Sequence, residues 1–439
     1  MFKIEYKKNP TTIEVNSIMS LHNIGMHEEA FDRCKNFFIK YPNSPLLYNI
    51  LGAINVGKCD FTNAIYSYLY AIKIKPNYAQ AFNNLAILLK KLGEFNLAII
   101  SYVKAINLKP DYIEAYNNLG LIYIETNEIQ KSKFFFDKAF KIDSNNEISN
   151  FNLGVVYSKQ KKLCKAEFHF KKAIKINPTY IEAYYNLGIL YHKQEKIELA
   201  KRCYEKTIKL DPSFCEAKHI LNSLSGKTTK SAPKKYVEKL FDNYAANFEK
   251  SLVIDLKYNI PKIIKEMIID YNMVNLGSVL DLGCGTGLVG LELKPYSKNI
   301  DGVDLSKFML EEANDKKIYN NLFHNDIEGF LTKSNVEYDY FIAADVFVYI
   351  GNLSKIFKLI KERNKRNAKL IFSTEHTNRK GYFINKKGRY CHSIDYIKSL
   401  CKKFDYELLN FRKAPLRKDN AKNVGGGVYL LQFQKIGFK

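Results

Sequence analysis

The sequence predicts a chain of two parts: an all-α array of paired helices, followed by an α/β domain built on a parallel sheet. Small and apolar residues recur every 34 positions through the first half of the 439-residue chain, and this period stops in the second half. There, short apolar runs alternate with helical patterns. Such alternation predicts a parallel sheet that is covered by helices on both faces.

The repeat in the first half is marked by three series of residues that lie 34 positions apart. Such a period is typical of the tetratricopeptide repeat, in which two antiparallel helices form one unit and units stack because none buries its own apolar face. Six repeats and a terminal helix fit within residues 11–224. The series are Leu51, Leu85, Leu119, Leu153 and Leu187; Ala30, Ala64, Ala98, Ser132, Ala166 and Ala200; and Pro42, Pro76, Pro110, Ser144, Pro178 and Pro212.

A row of asparagines follows the same period and is expected to face the groove of the solenoid. It resembles the asparagine ladder of tetratricopeptide solenoids that hold extended peptides, since an amide offers a donor and an acceptor to a peptide backbone. The open alternative is that asparagine before Leu-Gly is simply common in the repeat. The predicted partner is a protein or peptide, and the row consists of Asn84, Asn118, Asn152 and Asn186.

Residues 225–235 are small, polar and broken by proline, which predicts a linker. The second domain is expected over residues 236–439. Its strands are predicted at Ser278–Leu282, Asn299–Val303, Tyr340–Ala343 and Leu370–Ser373.

A glycine-rich loop follows the first predicted strand. Gly283, Gly285 and Gly287 follow the strand end Asp281-Leu282, where a backbone that turns sharply against a ligand needs residues without a Cβ. Asp304 ends the second strand and Asp326 the third, and Ile327 can pack on an adenine ring. Ligands bind at these strand ends in such sheets. Acids at three strand ends suit S-adenosylmethionine, a cationic cofactor without phosphates.

A dinucleotide is the competing ligand. Gly285, Gly287 and Gly290 form a G-x-G-x-x-G frame, but the frame that starts at the strand end meets Leu288 where its third glycine is required. The acid Asp281 would also lie near two phosphate charges. Both points favour S-adenosylmethionine.

Residues 236–439 resemble a class I S-adenosylmethionine-dependent methyltransferase, and the whole chain resembles a bacterial group of predicted methyltransferases fused to tetratricopeptide repeats. The motifs are the glycine loop, Leu240–Glu249, Asp345–Tyr349 and Gly388–Ser393. The resemblance implies a Rossmann-like fold and methyl transfer. It also implies that Tyr244, an aromatic residue of the segment Leu240–Glu249, closes over the cofactor. The other candidate cofactor residues are Cys284, Leu305 and Met309.

A second set of candidate residues is expected on the side of the methyl acceptor. His392 is the preferred base and Arg389 is expected to steer an anionic or carbonyl group, with Asp345 and Tyr349 beside them. The alternative is that Tyr390 and His392 are structural contacts in a lid. Glu375 and His376 complete the candidates. No metal site is predicted, because the eight cysteines are scattered and form no C-x-x-C pair.

Three functions stay open. The solenoid recruits a protein substrate or partner for the methyltransferase; or the enzyme methylates a lipid, sugar or quinone-like molecule and the repeats serve assembly; or the chain is a scaffold that binds the cofactor without turnover. The net charge of +23 is spread over both halves, and lysine supplies more of it than arginine. This pattern does not favour a nucleic-acid partner, because arginine makes most base-specific contacts, but it does not exclude one. The chain is expected to be cytoplasmic and without a membrane span.

Overall fold

The computed structural model describes residues 9–242, 244–245, 248–273, 275–419 and 422–433. The chain divides into two compact units, Met1–Cys203 and Tyr204–Lys439. This division falls within one helix, some twenty residues before the predicted linker. The domain limits drawn from the sequence therefore stay a prediction.

The first unit is a succession of antiparallel helix pairs, as the 34-residue period predicts. The described residues form twelve helices up to position 210, and the twelfth runs across the boundary between the units. They are α1 (Thr12–Asn23), α2 (His27–Lys40), α3 (Pro45–Gly57), α4 (Phe61–Ile74), α5 (Ala79–Lys91), α6 (Phe95–Leu108), α7 (Ile113–Glu125), α8 (Ile129–Ile142), α9 (Glu147–Lys159), α10 (Leu163–Ile176), α11 (Ile181–Lys193) and α12 (Ile197–Leu210).

The small residues of the repeat lie where helices approach one another. A Cβ on Gly52 would lie 2.5 Å from the ring of Tyr68, and a Cβ on Gly154 would lie 2.6 Å from the ring of Phe170. These rings come from the second helix of the same pair, so the glycine makes room for the aromatic residue that fills the pair. The second small series is fully buried at Ala30, Ala64, Ala98, Ser132, Ala166 and Ala200.

The second unit contains a nine-stranded mixed sheet in the order β3-β2-β1-β4-β5-β7-β6, with β9 pairing antiparallel to β5 and to β8. The first five strands are parallel, and the order reverses between β1 and β4. The strands are β1 (Ser278–Leu282), β2 (Asn299–Asp304), β3 (Asn321–His324), β4 (Tyr338–Ala343), β5 (Asn364–His376), β6 (Tyr382–Ile384), β7 (Tyr390–His392), β8 (Tyr406–Asp419) and β9 (Lys422–Phe433).

Helices cover both faces of this sheet. Leu280 and Leu282 of β1 pack on one face with Phe357, whereas the preceding residue, Val279, belongs to the core of the other face with Ile264. A parallel strand that is buried on both faces of the sheet requires apolar side chains on each face. The helices are α13 (Cys215–Leu224), α14 (Lys234–Asp242), α15 (Ile260–Asp270), α16 (Leu288–Leu293), α17 (Lys307–Asp315), α18 (Ile327–Lys333), α19 (Ser354–Glu362) and α20 (Ile394–Phe404).

The segment predicted as a linker is hydrogen-bonded within the second unit. The carbonyl oxygen of Lys230 accepts from the backbone N–H groups of Gly351 and Asn352 at 2.9 and 2.8 Å, and the N–H of Ala232 donates to the Tyr349 carbonyl at 2.9 Å. Composition alone could not show this pairing, because it uses backbone groups. These bonds hold residues 230–232 beside the loop that follows β4.

Helix α13, the expected terminal helix of the repeats, also packs within the second unit. His219 is 3% exposed, and its Nε2 lies 2.9 Å from the carbonyl oxygen of Gly388, in the turn between β6 and β7. A Cβ on Gly388 would lie 2.9 Å from the side chain of Ile220. Among the described helices of the chain, none is both long and apolar enough to cross a membrane.

Candidate cofactor and acceptor site

The glycine loop leaves the carboxyl end of β1 in a left-handed backbone conformation. Gly283, Gly285 and Gly287 have φ angles of +71°, +54° and +90°, which side chains with a Cβ adopt at a cost. A Cβ on Gly283 would overlap the Val346 side chain. The N–H groups of Gly283 and Cys284 donate to the carbonyl oxygen of Val303 at 2.8 and 3.1 Å, which fixes the loop to the neighbouring strand.

A cavity of about 250 Å³ opens at these strand ends, where the strand order reverses. Crevices at such reversal points are where ligands bind in open α/β sheets. Phe241, Phe248, Leu252 and Tyr258 contribute apolar walls. Ten of the predicted site residues line this one cavity: Gly283, Cys284, Gly285, Asp304, Leu305, Asp326, Ile327, Asp345, Tyr349 and Arg389.

Asp304 joins β2 to the glycine loop. Its Oδ2 accepts from the Gly285 N–H at 2.8 Å, and its Oδ1 accepts from the Ser306 N–H at 2.9 Å. Burial raises the pKa of the Asp304 carboxyl, while these N–H donors oppose the increase. Each carboxylate oxygen keeps a further acceptor site, so this residue can hold the loop and still accept from a bound hydroxyl.

Asp326 begins helix α18 as its N-terminal cap. Its Oδ1 accepts from the Gly329 N–H at 3.0 Å, and its Oδ2 forms an ion pair with Lys234 at 2.8 Å. Burial by itself would raise the pKa of Asp326, but the Lys234 ammonium and the Gly329 N–H outweigh it and lower that pKa. Lys234 also lines the cavity, and no sequence pattern indicates that it pairs with Asp326.

Asp281 lies beneath the loop and does not line the cavity. It is 1% exposed, its Oδ2 accepts from the hydroxyl of Tyr319 at 2.7 Å, and its Oδ1 has no hydrogen-bond partner among the described residues. Burial raises the pKa of Asp281 to about 7, against the opposing effect of the Tyr319 hydrogen bond. The expected direct contact of this acid with a cofactor is therefore not part of the present geometry.

Tyr319 explains the glycines that resembled a dinucleotide frame. A Cβ on Gly290 would lie 2.6 Å from the Tyr319 hydroxyl oxygen, and Cβ atoms on Gly287 and Gly302 would each lie 3.1 Å from its ring. These glycines accommodate an aromatic ring that supports the loop from behind. The third glycine of the frame is thus accounted for by packing. Tyr319 could not be identified from the sequence, because no motif marks it.

Three further predicted cofactor residues lie outside the cavity lining. Gly287 precedes helix α16, and Met309 is fully buried on α17. Tyr244 is 50% exposed. The aromatic residues of its segment that line the cavity are Phe241 and Phe248, whose ring centroids lie 6.1 Å apart. Closure over a cofactor by Tyr244 stays a prediction.

The segment that follows Phe248 is bound to the glycine loop through Glu249. The hydroxyl of Thr286 donates to Glu249 at 2.7 Å, and Lys316 forms an ion pair with the same carboxylate. The Lys316 ammonium also donates to the Thr286 carbonyl oxygen at 2.6 Å. These contacts hold the apolar wall of the cavity against the loop.

At Asp345 and Arg389 the cavity lining joins a cluster of buried charges. Arg417 of β8 donates from Nη1 to both carboxylate oxygens of Asp345 at 2.9 Å, and it also donates to Glu375. Arg389 lies 3.6 Å from Glu375 and 5.7 Å from the ring centroid of Tyr349. Burial raises the pKa of Asp345 to about 6, against the opposing charge of Arg389.

Asp345 has a φ angle of +57°, and its N–H donates to the Ser373 hydroxyl at 2.8 Å. The side chain of a residue held this way at the end of β4 reaches the cavity. Arg417 could not be identified from the sequence, because it lies far along the chain in a strand that was not predicted.

His392 corrects the sequence-based choice of base. It is fully buried, and its Nε2 lies 3.0 and 3.1 Å from the carbonyl oxygens of Ile350 and Gly351. Burial lowers the pKa of His392 to about 4, and its ring stacks on Tyr396. His392 does not line the cavity, and its bonds to these backbone carbonyls hold strand β7 in place. Its position fits the alternative stated above, in which His392 is a structural contact and not a base.

Comparison with known protein families finds matches in both halves of the chain. A methyltransferase domain model matches residues 279–366, and tetratricopeptide repeat models match residues 67–100, 88–127, 113–146, 149–180 and 181–214. The chain combines tetratricopeptide repeats with a methyltransferase domain.

Among the curated relatives, an uncharacterized protein of Haemophilus influenzae is 34% identical over 107 residues, covering 22% of this chain and 42% of that protein. A ubiquinone biosynthesis O-methyltransferase of Rickettsia canadensis is 28% identical over 133 residues, covering 30% of this chain and 55% of that protein. The chain thus spans only 42% and 55% of the length of these two relatives.

Two solved structures are similar to parts of this chain. An S-adenosylmethionine-dependent methyltransferase from Clostridium acetobutylicum has 22% identity and a TM-score of 0.35, covering 44% of this chain and 99% of that one. YrrB, described as a tetratricopeptide repeat protein with an unusual peptide-binding site, has 17% identity and a TM-score of 0.35, covering 42% of this chain and 96% of that one.

The asparagine row of the repeats is partly occupied by bonds within the solenoid. The amide of Asn84 donates to Asn49 at 3.0 Å, and that of Asn152 donates to Asn117 at 3.4 Å, in each case across neighbouring repeats. The amide of Asn186 donates to a carbonyl of its own helix. Asn118 makes no side-chain hydrogen bond to the described residues. Two of the four asparagines therefore tie repeats together, and peptide binding by the row stays a prediction.

The described residues contain no group of three or more histidine, cysteine, aspartate or glutamate side chains placed to bind a metal ion.

Proposed function

We propose that the second unit binds S-adenosylmethionine in the cavity and transfers its methyl group to an acceptor at the Asp345 end. One observation carries the proposal: a single cavity is lined by the glycine loop, by Asp304 and Asp326, and by Asp345 and Arg389. The first set suits a nucleoside, and the second offers polar groups to another molecule. A methyltransferase domain needs its residues for the methyl donor and those for the acceptor in the same cavity.

The chemistry of the donor set fits this cofactor. Asp304 would accept from ribose hydroxyls, Ile327 would pack on the adenine ring, and Asp326 would accept from the adenine amino group in exchange for part of its contact with Lys234. The loop at Gly283 and Gly285 leaves space that a Cβ would fill or strain. The lining acids are compatible with a cationic ligand, whereas two phosphates would meet buried carboxylates.

Methyl transfer depends mainly on positioning. Bound S-adenosylmethionine supplies an electrophilic methyl carbon on a sulfonium leaving group, so near-attack geometry can account for up to ~7–11 kcal/mol of the barrier. The apolar walls at Phe241 and Phe248 exclude water from the reacting atoms. Where the acceptor arrives protonated, a carboxylate oxygen of Asp345 takes the proton, because this group lines the cavity and His392 does not.

Calorimetric titration with S-adenosylmethionine tests the first half of the proposal. Asp304→Ala should weaken binding by roughly 10- to 100-fold, because hydrogen bonds to a charged partner contribute about 1.5–3 kcal/mol. Gly285→Arg should abolish binding by filling the cavity. Asp315→Ala, an exposed acid at the end of α17, is the matched control and should bind as the unmodified protein does. An unmodified protein that does not bind S-adenosylmethionine refutes the proposal.

Two classes of methyl acceptor are considered. Our first hypothesis is that the solenoid recruits a protein substrate, and the repeats support it. A small molecule is favoured by the O-methyltransferase relatives, which act in ubiquinone biosynthesis by their name.

Transfer of a labelled methyl group in a lysate separates the two acceptor classes, since label enters either the protein precipitate or the organic and soluble extracts. Asp345→Asn should bind the cofactor and lose most of the transfer. Full transfer by that variant would remove Asp345 from the mechanism.

A further inference from the structure

Four large apolar side chains occupy one position in four successive repeats and face outward. They lie 34 residues apart on the second helices α4, α6, α8 and α10. Each is more than half exposed: Tyr66 at 66%, Ile100 at 62%, Phe134 at 54% and Phe168 at 59%. Equivalent positions in stacked repeats form a row along the solenoid. We call these four residues the exposed stripe.

The exposed stripe is not needed for stacking of the repeats. The same four helices already bury a different aromatic series against neighbouring helices, so the outward position could be polar without loss to the core. Further apolar side chains widen the stripe at its first two repeats. The buried series is Tyr68, Tyr102, Phe136 and Phe170, and the exposed neighbours are Leu69, Tyr70, Leu97 and Val103. A contiguous exposed apolar surface of this kind marks an interaction site.

Lysines surround the stripe. The four helices together carry ten lysines and two acids. Lys131 and Lys138 lie three residues before and four residues after Phe134, and Lys165 and Lys172 have the same spacing around Phe168. Residues three and four apart share one face of a helix. The last two apolar residues of the stripe are therefore flanked by lysines on both sides.

The two acids of these helices do not offset this charge toward a partner. Asp137 forms an ion pair with Lys133, and Glu167 forms one with Lys171 at 2.7 Å. Lys138 and Lys165 are exposed, whereas Lys131, which is also exposed, forms an ion pair at 2.5 Å with Glu128, the residue before α8. The surface that remains is apolar along its row and positive beside it.

We propose that the exposed stripe docks the solenoid on an anionic lipid surface. Apolar side chains that protrude singly, one per repeat, can enter the boundary between headgroups and acyl chains, while lysines beside them meet lipid phosphates. A folded protein partner instead uses anchors that pack into pockets, and a second copy would bring two lysine-flanked surfaces together.

Sedimentation of the full-length protein with vesicles tests this. The vesicles contain phosphatidylcholine with roughly one third phosphatidylglycerol, and pure phosphatidylcholine serves for comparison. Phe134→Ser with Phe168→Ser should weaken binding to the anionic vesicles by at least about tenfold, because each loses the transfer of a large apolar group. The matched control is Ile87→Ser with Ile148→Ser, two exposed apolar residues on the first helices α5 and α9.

The charge is tested in the same assay. Lys138→Gln with Lys165→Gln should weaken binding by about 30-fold, because each lysine near an anionic surface contributes about a factor of five. Lys159→Gln with Lys193→Gln, exposed lysines of first helices, should leave binding unchanged. Circular dichroism of each variant checks that the repeats stay folded.

Three outcomes overturn the proposal. These are an unmodified protein that stays in the supernatant with anionic vesicles, equal loss in stripe and control variants, and equal binding to both vesicle types. If the protein self-associates through the stripe and does not bind vesicles, the stripe is an interface with a second copy. If the stripe binds only an acidic protein, its partner is a protein and not a lipid surface. The assay contains no methyl donor, so its result is independent of the proposed methyl transfer.

Discussion

Tyr319→Phe removes one hydroxyl and keeps the ring that fills the space beside Gly287, Gly290 and Gly302. The hydroxyl donates to Asp281 at 2.7 Å, and the other oxygen of this 1%-exposed carboxyl has no partner among the described residues. At pH 8.5 the lost bond is to a charged group, which corresponds to about 1.5–3 kcal/mol of unfolding free energy. At pH 5.5 Asp281 is protonated and the loss falls to about 0.5–1.5 kcal/mol.

The sign of this pH dependence follows from burial. The pKa of Asp281 is raised to about 7 in the folded chain from 3.8, so its contribution to stability is present below the unfolded value and is lost as pH rises through about 7. Without the Tyr319 hydroxyl, which lowers this pKa, the loss of stability continues to higher pH. The variant and the unmodified protein should therefore diverge as pH increases.

Urea unfolding followed by far-ultraviolet circular dichroism measures this difference at both pH values. Tyr338→Phe is the matched control, because the Tyr338 hydroxyl donates at 2.9 Å to Asp301, a carboxylate with solvent access in the same sheet. That variant should lose a smaller amount that changes little with pH. Equal losses for Tyr319→Phe at both pH values, or a larger loss at pH 5.5, would refute the reasoning.

Three other variants test separate features. His392→Gln should make the fall in stability between pH 6.5 and pH 4 shallower in an acid titration, because burial lowers the His392 pKa to about 4 and the unfolded chain takes up the proton first; an unchanged slope contradicts this. Gly283→Ala should lower the unfolding free energy by about 2–4 kcal/mol in urea, from left-handed strain and overlap with Val346. Asn84→Ala should cost about 1 kcal/mol in thermal unfolding through loss of its bond to Asn49; no change would leave that asparagine free for a peptide.

The sequence predicted the features that depend on period and on local backbone demands. The 34-residue spacing of small residues reflects close helix contacts, and Gly283 reflects a left-handed turn against Val346, so both were visible without a structure. The strands β6 to β9 were not predicted. β6 and β7 have three residues each, and the glycines Gly425 to Gly427 in β9 do not indicate a strand.

The site was predicted less completely than the fold for a related reason. Asp304 and Asp326 stand at strand ends, where topology alone brings them together. Arg417 and Tyr319 reach the site through pairings between segments far apart in sequence, which no local pattern encodes. His392 was misread because a histidine near a motif looks the same in sequence whether its ring faces a cavity or backbone carbonyls.

Helix α13 sets a limit on how this protein can vary in length. In a repeat array each repeat contacts only the repeats beside it. Whole repeats of 34 residues can therefore be gained or lost with little effect beyond the adjacent pair. That freedom ends at α13, because His219 contacts the carbonyl of Gly388 and the next residue, Arg389, lines the cavity. An insertion within α13 would rotate His219 away and displace this turn, so we expect relatives to differ in repeat number before α12 and to keep α13 at constant length.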